Sequence, residues 1–287
     1  MTTPIPRTRA MCAADLNAVV DWWQTDIVDI EPGVIRLRGY PVEQLIGRVS
    51  FPAMIWLMLR GELPESRHAD LFGAVLVAAV DHGPQAPSIA TARMAATCGV
   101  GINNAMASGV NALGDVHGGA GEQCMRLLAR VIDGQDKGEE AAFAVRRELD
   151  AWRTEHGRFI PGFGHRFHHV DPRAVRLAEL VDEAHAADRV SGKYLAAARE
   201  VERSLSSSGR SVPMNIDGIA AVVLLELGFP WELGRGVFIL SRSVGICAHA
   251  FEQTLQGGRI KGPTPPAVGF RYTGPGPRSL PEEGSTS

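Results

Sequence analysis

Three histidines stand beside glycine in settings suited to chemistry. They are His82 in Asp81-His-Gly-Pro84, His117 in Gly114-Asp-Val-His-Gly-Gly-Ala120, and His165 in Pro161-Gly-Phe-Gly-His-Arg166. Glycine next to a polar side chain lets the backbone turn sharply and lets a ligand approach closely. A helix is expected to begin directly after His117, so its free N–H groups could meet an anion or a polarised carbonyl. One such histidine would be an ordinary boundary residue; three in one chain point to a site. His68, His156, His185 and His249 read as surface or satisfied core residues.

Asp217, in Pro213-Met-Asn-Ile-Asp-Gly218, leads into the apolar run Ile219 to Leu225. It can be read as a helix N-cap, which aspartate favours. It can equally be a partly desolvated carboxylate, whose raised pKa makes it a usable base. Arg173 follows Asp171-Pro172 near an expected helix start, and Arg242 lies within the apolar stretch Phe238 to Ala248. An arginine in such a helix needs an anionic partner, either a structural carboxylate or one from a substrate.

The elements that must hold these residues read as helices. Leu177, Leu180, Val181 and Ala184 recur at helical spacing, as do Cys124, Leu127, Leu128 and Val131, and then Tyr194, Ala197, Ala198, Val201 and Leu205. Val222 to Leu227 and Val237 to Phe251 are expected to be helices buried on most sides. The best strand signal is Ile27 to Leu37, with Glu31-Pro32-Gly33 as the turn of a small hairpin. No alternation of strand and helix supports a parallel sheet, so the fold class is all-α with a minor β-hairpin. Asp133 to Lys137 reads as a polar, glycine-containing break after a helix and a domain edge. No internal repeat is found. The tail from Gly274 to Ser287, rich in Gly, Pro, Ser and Glu, is expected to be disordered.

Bulk composition narrows the classes. The chain has 287 residues, enough for one large domain or two modest ones, and is 45% hydrophobic and 21% charged, as expected of a protein with a real core. A formal net charge of −3 gives no electrostatic reason to expect a nucleic acid or an anionic membrane as partner. Arg146-Arg147 reads as part of a solvated mixed-charge helix face. Cys12, Cys98, Cys124 and Cys247 form no C-x-x-C pair and read as reduced thiols. Residues Met1 to Arg9 do not resemble a signal peptide, and the apolar stretch Leu71 to Val80 is too short to span a membrane. The expectation is a soluble, cytoplasmic protein.

Taken in order, the motifs resemble those of the citrate synthase superfamily, from about Arg38 to Gln253. Arg38-Gly-Tyr-Pro-Val-Glu-Gln-Leu45 with Gly61-Glu-Leu-Pro64 is similar to its N-terminal signature. Gly114 to Ala120, Pro161 to Arg166 with Asp171-Pro-Arg173, Asn215-Ile-Asp-Gly218 and Ser241-Arg-Ser-Val-Gly-Ile246 follow in family order. The resemblance implies an all-α homodimer. It implies a large domain from residues 1–129 and 238–287, an inserted small domain from 130–237, and a cleft between them. It further implies an acyl-CoA thioester and a di- or tricarboxylate as partners, with coenzyme A entering as substrate and no bound cofactor or metal.

By matching motif, the resemblance makes Asp217 the base for the acetyl methyl proton and His117 the donor to the enol oxygen. His165 would polarise the oxo-acid carbonyl, or take the hydroxyl proton in the cleavage direction. His82, Arg173 and Arg242 would hold carboxylates. Pro161, Gly162, Phe163 and Gly164, through their backbone, and Arg166 would bind coenzyme A. Free aspartate, with a pKa of about 3.9, is a weak base for a thioester α-proton, so such chemistry also needs a donor at the enolate oxygen.

Departures from the family pattern bear on direction. Asp81-His-Gly-Pro84 and Gly114-Asp115 look more like the lyase portion of ATP-citrate lyase, although that portion usually lacks a histidine at the His117 position. The family's late Arg-Pro-Arg is absent; Arg259-Ile-Lys-Gly-Pro263 and Arg271-Tyr-Thr-Gly274 stand in that region. The compact length resembles stand-alone citryl-CoA lyases. The leading expectation is therefore cleavage of citryl-CoA, or a close analogue, to acetyl-CoA and oxaloacetate. Citrate synthase-type condensation is the alternative, and a non-catalytic regulator that binds CoA or citrate is a third. A metal hydrolase built on His165, His168 and His169 is disfavoured by Gly162 and Gly164 and by the absence of H-E-x-x-H. Gly99-Val-Gly101 lacks the third glycine of a dinucleotide loop, and no P-loop motif occurs.

Overall fold

The structure is a computed structural model and describes residues 24–164, 170–206 and 211–280. It opens with three antiparallel strands, β1 (Val28–Glu31), β2 (Val34–Leu37) and β3 (Tyr40–Pro41), in the order β1-β2-β3. Val28 pairs with Leu37 and Glu31 with Val34, so Pro32-Gly33 forms the expected turn, with Gly33 at φ 79°. The sequence signal gave a hairpin; the third strand is added by a second tight turn at Gly39, where φ is 83°.

Among the described residues, the other regular elements are helical. The helices are α1 (Val42–Leu45), α2 (Phe51–Arg60), α3 (Ser66–Ala79), α4 (Pro87–Ala96), α5 (Ile102–Asn111), α6 (Ala120–Asp136), α7 (Ala141–His156), α8 (Pro172–Ala186), α9 (Lys193–Leu205), α10 (Ile216–Glu226) and α11 (Gly234–Gln256). A short 3₁₀ turn, Trp231–Leu233, precedes α11. Among the described residues no helix is long and apolar enough to cross a membrane.

Each periodic segment read from the sequence lies on one of these helices. The expected break at Asp133 to Lys137 does not occur, because α6 continues through Asp136. Gly134 stands inside the helix beneath the tips of two flexible side chains. A side-chain carbon there would lie 2.5 Å from Arg147 Nη2 and 2.6 Å from Glu139 Oε2. Burial of Val131, Ile132 and their neighbours in the same helix outweighs the roughly 1 kcal/mol that glycine costs in a helix.

The main core gathers α3, α6, α7, α8, α9 and α10 around fully buried leucine, valine and alanine side chains. Phe72 stacks on Phe229 with ring centroids 5.1 Å apart, and Trp56 meets both edge-on. A second, smaller cluster packs α4, α5 and α11 through Ala86, Ile89, Ala92, Ala105, Ile246 and Ala250. Small residues let these helices approach closely. At Gly109 an added carbon would meet Ser88 O at 2.7 Å and Ile246 Cγ2 at 2.9 Å.

Two helix starts are held by carboxylates, one distant in sequence and one local. The helix α9 begins after Gly192, which has no side chain to cap it. Glu226, at the end of α10, accepts instead from Ser191 Oγ and from the N–H groups of Gly192, Tyr194 and Leu195. The helix α8 begins at Asp171, whose Oδ1 accepts from Arg173 N at 3.0 Å.

Candidate active site

The site is built where the end of α3 meets the starts of α4, α6, α8 and α10 and the middle of α11. His117 closes a tight loop in which Gly114 N donates to His117 O at 2.8 Å, and α6 starts at Ala120 after Gly119. The expected helix start after the histidine is therefore present.

The imidazole of His117 reaches back to the N-terminus of α4. Its Nε2 lies 3.1 Å from Ser88 N and 2.9 Å from Ser88 Oγ, and Ser88 is fully buried. A backbone N–H can only donate, so Nε2 must accept. The ring proton then sits on Nδ1, and a neutral His117 offers one N–H to the space in front of it. Burial, the Arg242 charge and His82 all push the His117 pKa below its ordinary value of 6.5. These causes and the fixed tautomer agree: His117 is a neutral hydrogen-bond donor at physiological pH.

Asp217 stands in the first turn of α10, but it does not cap the helix. Asn215 is the cap, its Oδ1 accepting from Asp217 N at 2.9 Å and Gly218 N at 3.2 Å. The N-cap reading of Asp217 is thereby overturned: the asparagine two residues earlier supplies the acceptor. Asp217 lines an apolar pocket with Ala79, Gly121, Ala220, Val237, Phe238 and Ser241 among its walls.

The approach to α10 is fixed by the segment Ile160 to Gly164, which lies antiparallel to Pro213–Asn215. Gly164 N donates to Pro213 O at 2.7 Å, Asn215 N to Gly162 O at 3.0 Å, and Asn215 Nδ2 to Gly164 O at 2.7 Å. Gly162 at φ 84° and Gly218 touch backbone to backbone: a side-chain carbon on Gly218 would lie 2.3 Å from Gly162 O. Pro161, Gly162 and Phe163 are buried here, and Gly164 is partly buried. His165 and Arg166 lie outside the described residues, as do His168 and His169.

Arg173 and Asp171 tie α8 to the same helix end. Arg173 Nε and Nη2 donate to the two Asp171 oxygens at 3.0 and 2.8 Å, and Asp171 Oδ2 also accepts from Ile216 N at 3.3 Å. Burial alone would raise the Asp171 pKa, but the hydrogen bonds and charge of Arg173, with the Ile216 N–H, outweigh it and hold the carboxyl below its usual range. Arg173 thus reaches Asp217 through one carboxylate and one peptide.

Arg242 is buried in α11, with Nε donating to Ala79 O at 3.1 Å and the guanidinium 4.8 Å from the Phe238 ring centroid. Burial lowers its pKa, the carboxylates of Asp81 and Asp217 oppose that, and Arg173 adds to it. Its direct contacts are a backbone carbonyl and an aromatic face, and the charges of Asp81 and Asp217 act on it from nearby. His82 is exposed on the turn after α3, close enough to influence His117. Five of the residues singled out in the sequence, His82, His117, Arg173, Asp217 and Arg242, thus share one electrostatic neighbourhood.

Ser88, Asp171 and Asn215 were not recognised as partners from the sequence. Ser88 follows Pro87 at the first turn of α4, and that helix-start signal alone could have exposed its N–H to a ligand or side chain. Cys124 is fully buried beside Gly162, and burial with the Asp217 charge raises its pKa far above the ordinary thiol range. It is a packing residue. Among the described residues no group of His, Cys, Asp and Glu stands in a metal-holding arrangement.

Comparison with known proteins follows the same geometry. The citryl-CoA lyase of Hydrogenobacter thermophilus superposes with a TM-score of 0.80 at 33% identity, covering 91% of this chain and 98% of that one. The citrate synthase of Thermoplasma acidophilum, solved with carboxymethyl coenzyme A and oxaloacetate, gives a TM-score of 0.64 at 22% identity, covering 81% of this chain and 59% of that one. That likeness speaks for the fold. A putative citrate synthase 2 of Mycobacterium tuberculosis is 32% identical over 224 residues, covering 75% of this chain and 54% of its own length. The chain thus spans about half the length of the curated relatives it matches. The model of the citrate synthase C-terminal domain matches residues 64–264. With its helical architecture and the family motifs gathered at one site, the chain belongs to the citrate synthase family.

Proposed function

We propose that this protein cleaves citryl-CoA, or a close 3-hydroxyacyl-CoA analogue, to acetyl-CoA and oxaloacetate. The observation that carries this reading is the fixed, neutral His117, with Arg242 near enough to act on it and on Asp217. An enolate oxygen needs a donor already aimed at it, and removing such a donor typically costs about 10²–10³ in rate. In the cleavage direction a base, assigned to His165, takes the hydroxyl proton of the citryl group. The carbon–carbon bond breaks, its electron pair forms the acetyl-CoA enolate, and the hydroxyl carbon becomes the oxaloacetate carbonyl. His117 Nδ1–H stabilises the enolate oxygen. Protonated Asp217 then delivers its proton to the enolate carbon, and the same carboxylate would act as base in reverse. His82, Arg173 and Arg242 bind the carboxylates, the last two with charge-assisted hydrogen bonds. The backbone of Pro161 to Gly164 and Arg166 holds coenzyme A.

The lyase direction is supported by the near-complete mutual coverage with the Hydrogenobacter enzyme. The names of the curated relatives favour a second reading, citrate synthase-type condensation of acetyl-CoA with oxaloacetate or a related 2-oxo acid. Incubation with citryl-CoA separates them. Acetyl-CoA and oxaloacetate are the expected products; citrate and free CoA without oxaloacetate would sink the lyase reading. Asp217→Asn should retain substrate binding and lose about 10²–10⁴ in turnover. Unchanged turnover would overturn its assignment.

The same reading includes a homodimer, a cytoplasmic setting, and the division into a large domain (1–129 and 238–287) and a small one (130–237). Site residues drawn from both sides of that division support it. Leu240, Val244, Phe251 and Leu255 are exposed along one face of α11, a surface suited to a second copy of the chain. Sedimentation should give the mass of two chains, and X-ray scattering should show compaction when CoA and oxaloacetate are both present. A monomer, or an unchanged radius, would refute the respective claim.

A further inference from the structure

The helix α11 does more than carry Arg242. Ser241, Arg242, Gly245 and His249 lie on one face of it, and all four meet the end of α3 or the turn that follows. Ser241 Oγ donates to Leu76 O and Arg242 Nε to Ala79 O. Gly245 faces Val80 and Asp81 so closely that a side-chain carbon would lie 2.3 Å from Val80 O and 2.9 Å from Asp81 Oδ1. One turn further along, His249 Nε2 is 3.1 Å from that same carboxylate oxygen.

Arg93 of α4 fixes the imidazole. A guanidinium only donates, so the 3.1 Å contact of Arg93 Nη1 with His249 Nδ1 makes Nδ1 an acceptor. The ring proton is left on Nε2, facing Asp81. Arg93 is itself held by Glu252, Gln253 and Gln256. On the other side, Asp81 Oδ2 accepts from Gly83 N at 2.9 Å. The carboxylate therefore spans the turn that carries His82, with one oxygen on its backbone and the other toward α11. Among the described residues no donor is aligned on the buried Oδ1, and His249 Nε2–H is the group near enough to compensate it.

We propose that His249 and Arg93 are positioning residues for the oxo-acid end of the site. They hold Asp81, and through it the His82 turn, in register with Arg242. The binding consequence rests on the assignment of His82 and Arg242 to the substrate carboxylates; the effect on the turn does not.

The test uses the full chain with His249→Ala, His249→Gln and Arg93→Met. Glutamine can offer an amide N–H to Asp81 and a carbonyl to Arg93, so it tests rescue. Backbone amide exchange, read by mass spectrometry, should accelerate at residues 80–84 in H249A and R93M and return toward wild type in H249Q. Calorimetry should show oxaloacetate binding about 10-fold weaker in H249A, as the turn carrying His82 loses its register with Arg242, with CoA binding unchanged. Wild-type exchange at 80–84 in H249A and R93M would overturn the proposal. So would equal losses of oxaloacetate and CoA binding, or an H249Q variant as impaired as H249A. Should H249A not fold, R93M and H249Q decide by the same exchange readout. A wild-type protein that binds no oxaloacetate would instead overturn the substrate assignment, while amide exchange still decides whether the turn is held.

Discussion

Replacing Asp171 by asparagine should unfasten α8 from the start of α10 while leaving the helix cap in place. Asp171 is 1% exposed and accepts from Arg173 N, Nε and Nη2 and from Ile216 N. Breaking a buried ion pair by removing one partner costs about 3–5 kcal/mol. Two features reduce that here: Arg173 keeps 25% of its side chain in contact with solvent, and asparagine retains an N-cap acceptor. The expected loss is about 2 kcal/mol, or about 4–8 °C in melting temperature. Urea titration at neutral pH should show a lower midpoint with an unchanged slope. The pH dependence gives the sign. The Asp171 pKa is lowered on folding, so its contribution is complete above the unfolded value of 3.8 and is lost as pH falls through the lower folded value. The stability gap between wild type and variant should thus be constant from neutral pH to about pH 5 and close below about pH 4. An unchanged midpoint at neutral pH, or a gap that widens in acid, would refute this account.

Two further predictions concern the same site. The lowered pKa of His117 means that the folded protein resists its protonation. The associated stability is complete above 6.5 and is lost as pH falls through the lowered value. Turnover should decline over that acid range, and Ser88→Ala, which removes one of the two donors to Nε2, should shift the decline toward higher pH; an identical profile would count against the Ser88 contact. Gly218→Ala should cost about 2–3 kcal/mol, because the contacting atom, Gly162 O, belongs to a backbone that cannot swing aside. Gly121→Ala is the control, with its nearest neighbour, Asp217 O, at an ordinary 3.8 Å; equal melting temperatures for the two variants would refute the close-contact argument.

The helices were legible because their apolar residues repeat at helical spacing. The strand turn was legible because Pro32-Gly33 can form little else. The site histidines and arginines were legible through glycine, proline and the order of the motifs. What could not be read was pairing across the chain. Ser88 and His117 are separated by a helix and two loops, and nothing in either local sequence states that one donates to the other. The sequence leaves Asp217 open as a cap or a base because Asn215 and Asp217, two residues apart, both suit the cap, and only backbone geometry chooses Asn215. The break expected at Asp133 failed for the opposite reason. Local composition argues for a turn, while the buried residues Val131 and Ile132 carry the helix through a glycine that costs only about 1 kcal/mol.

Glu226 makes one helix answerable to another. A helix start normally brings its own acceptors. The start of α9 has one nearby, Ser191 Oγ, which accepts from Lys193 N, while the N–H groups of Gly192, Tyr194 and Leu195 turn to a carboxylate at the far end of α10. A substitution at Glu226 would therefore loosen a helix to which it does not belong, and it would do so from the same element whose first turn bears Asp217.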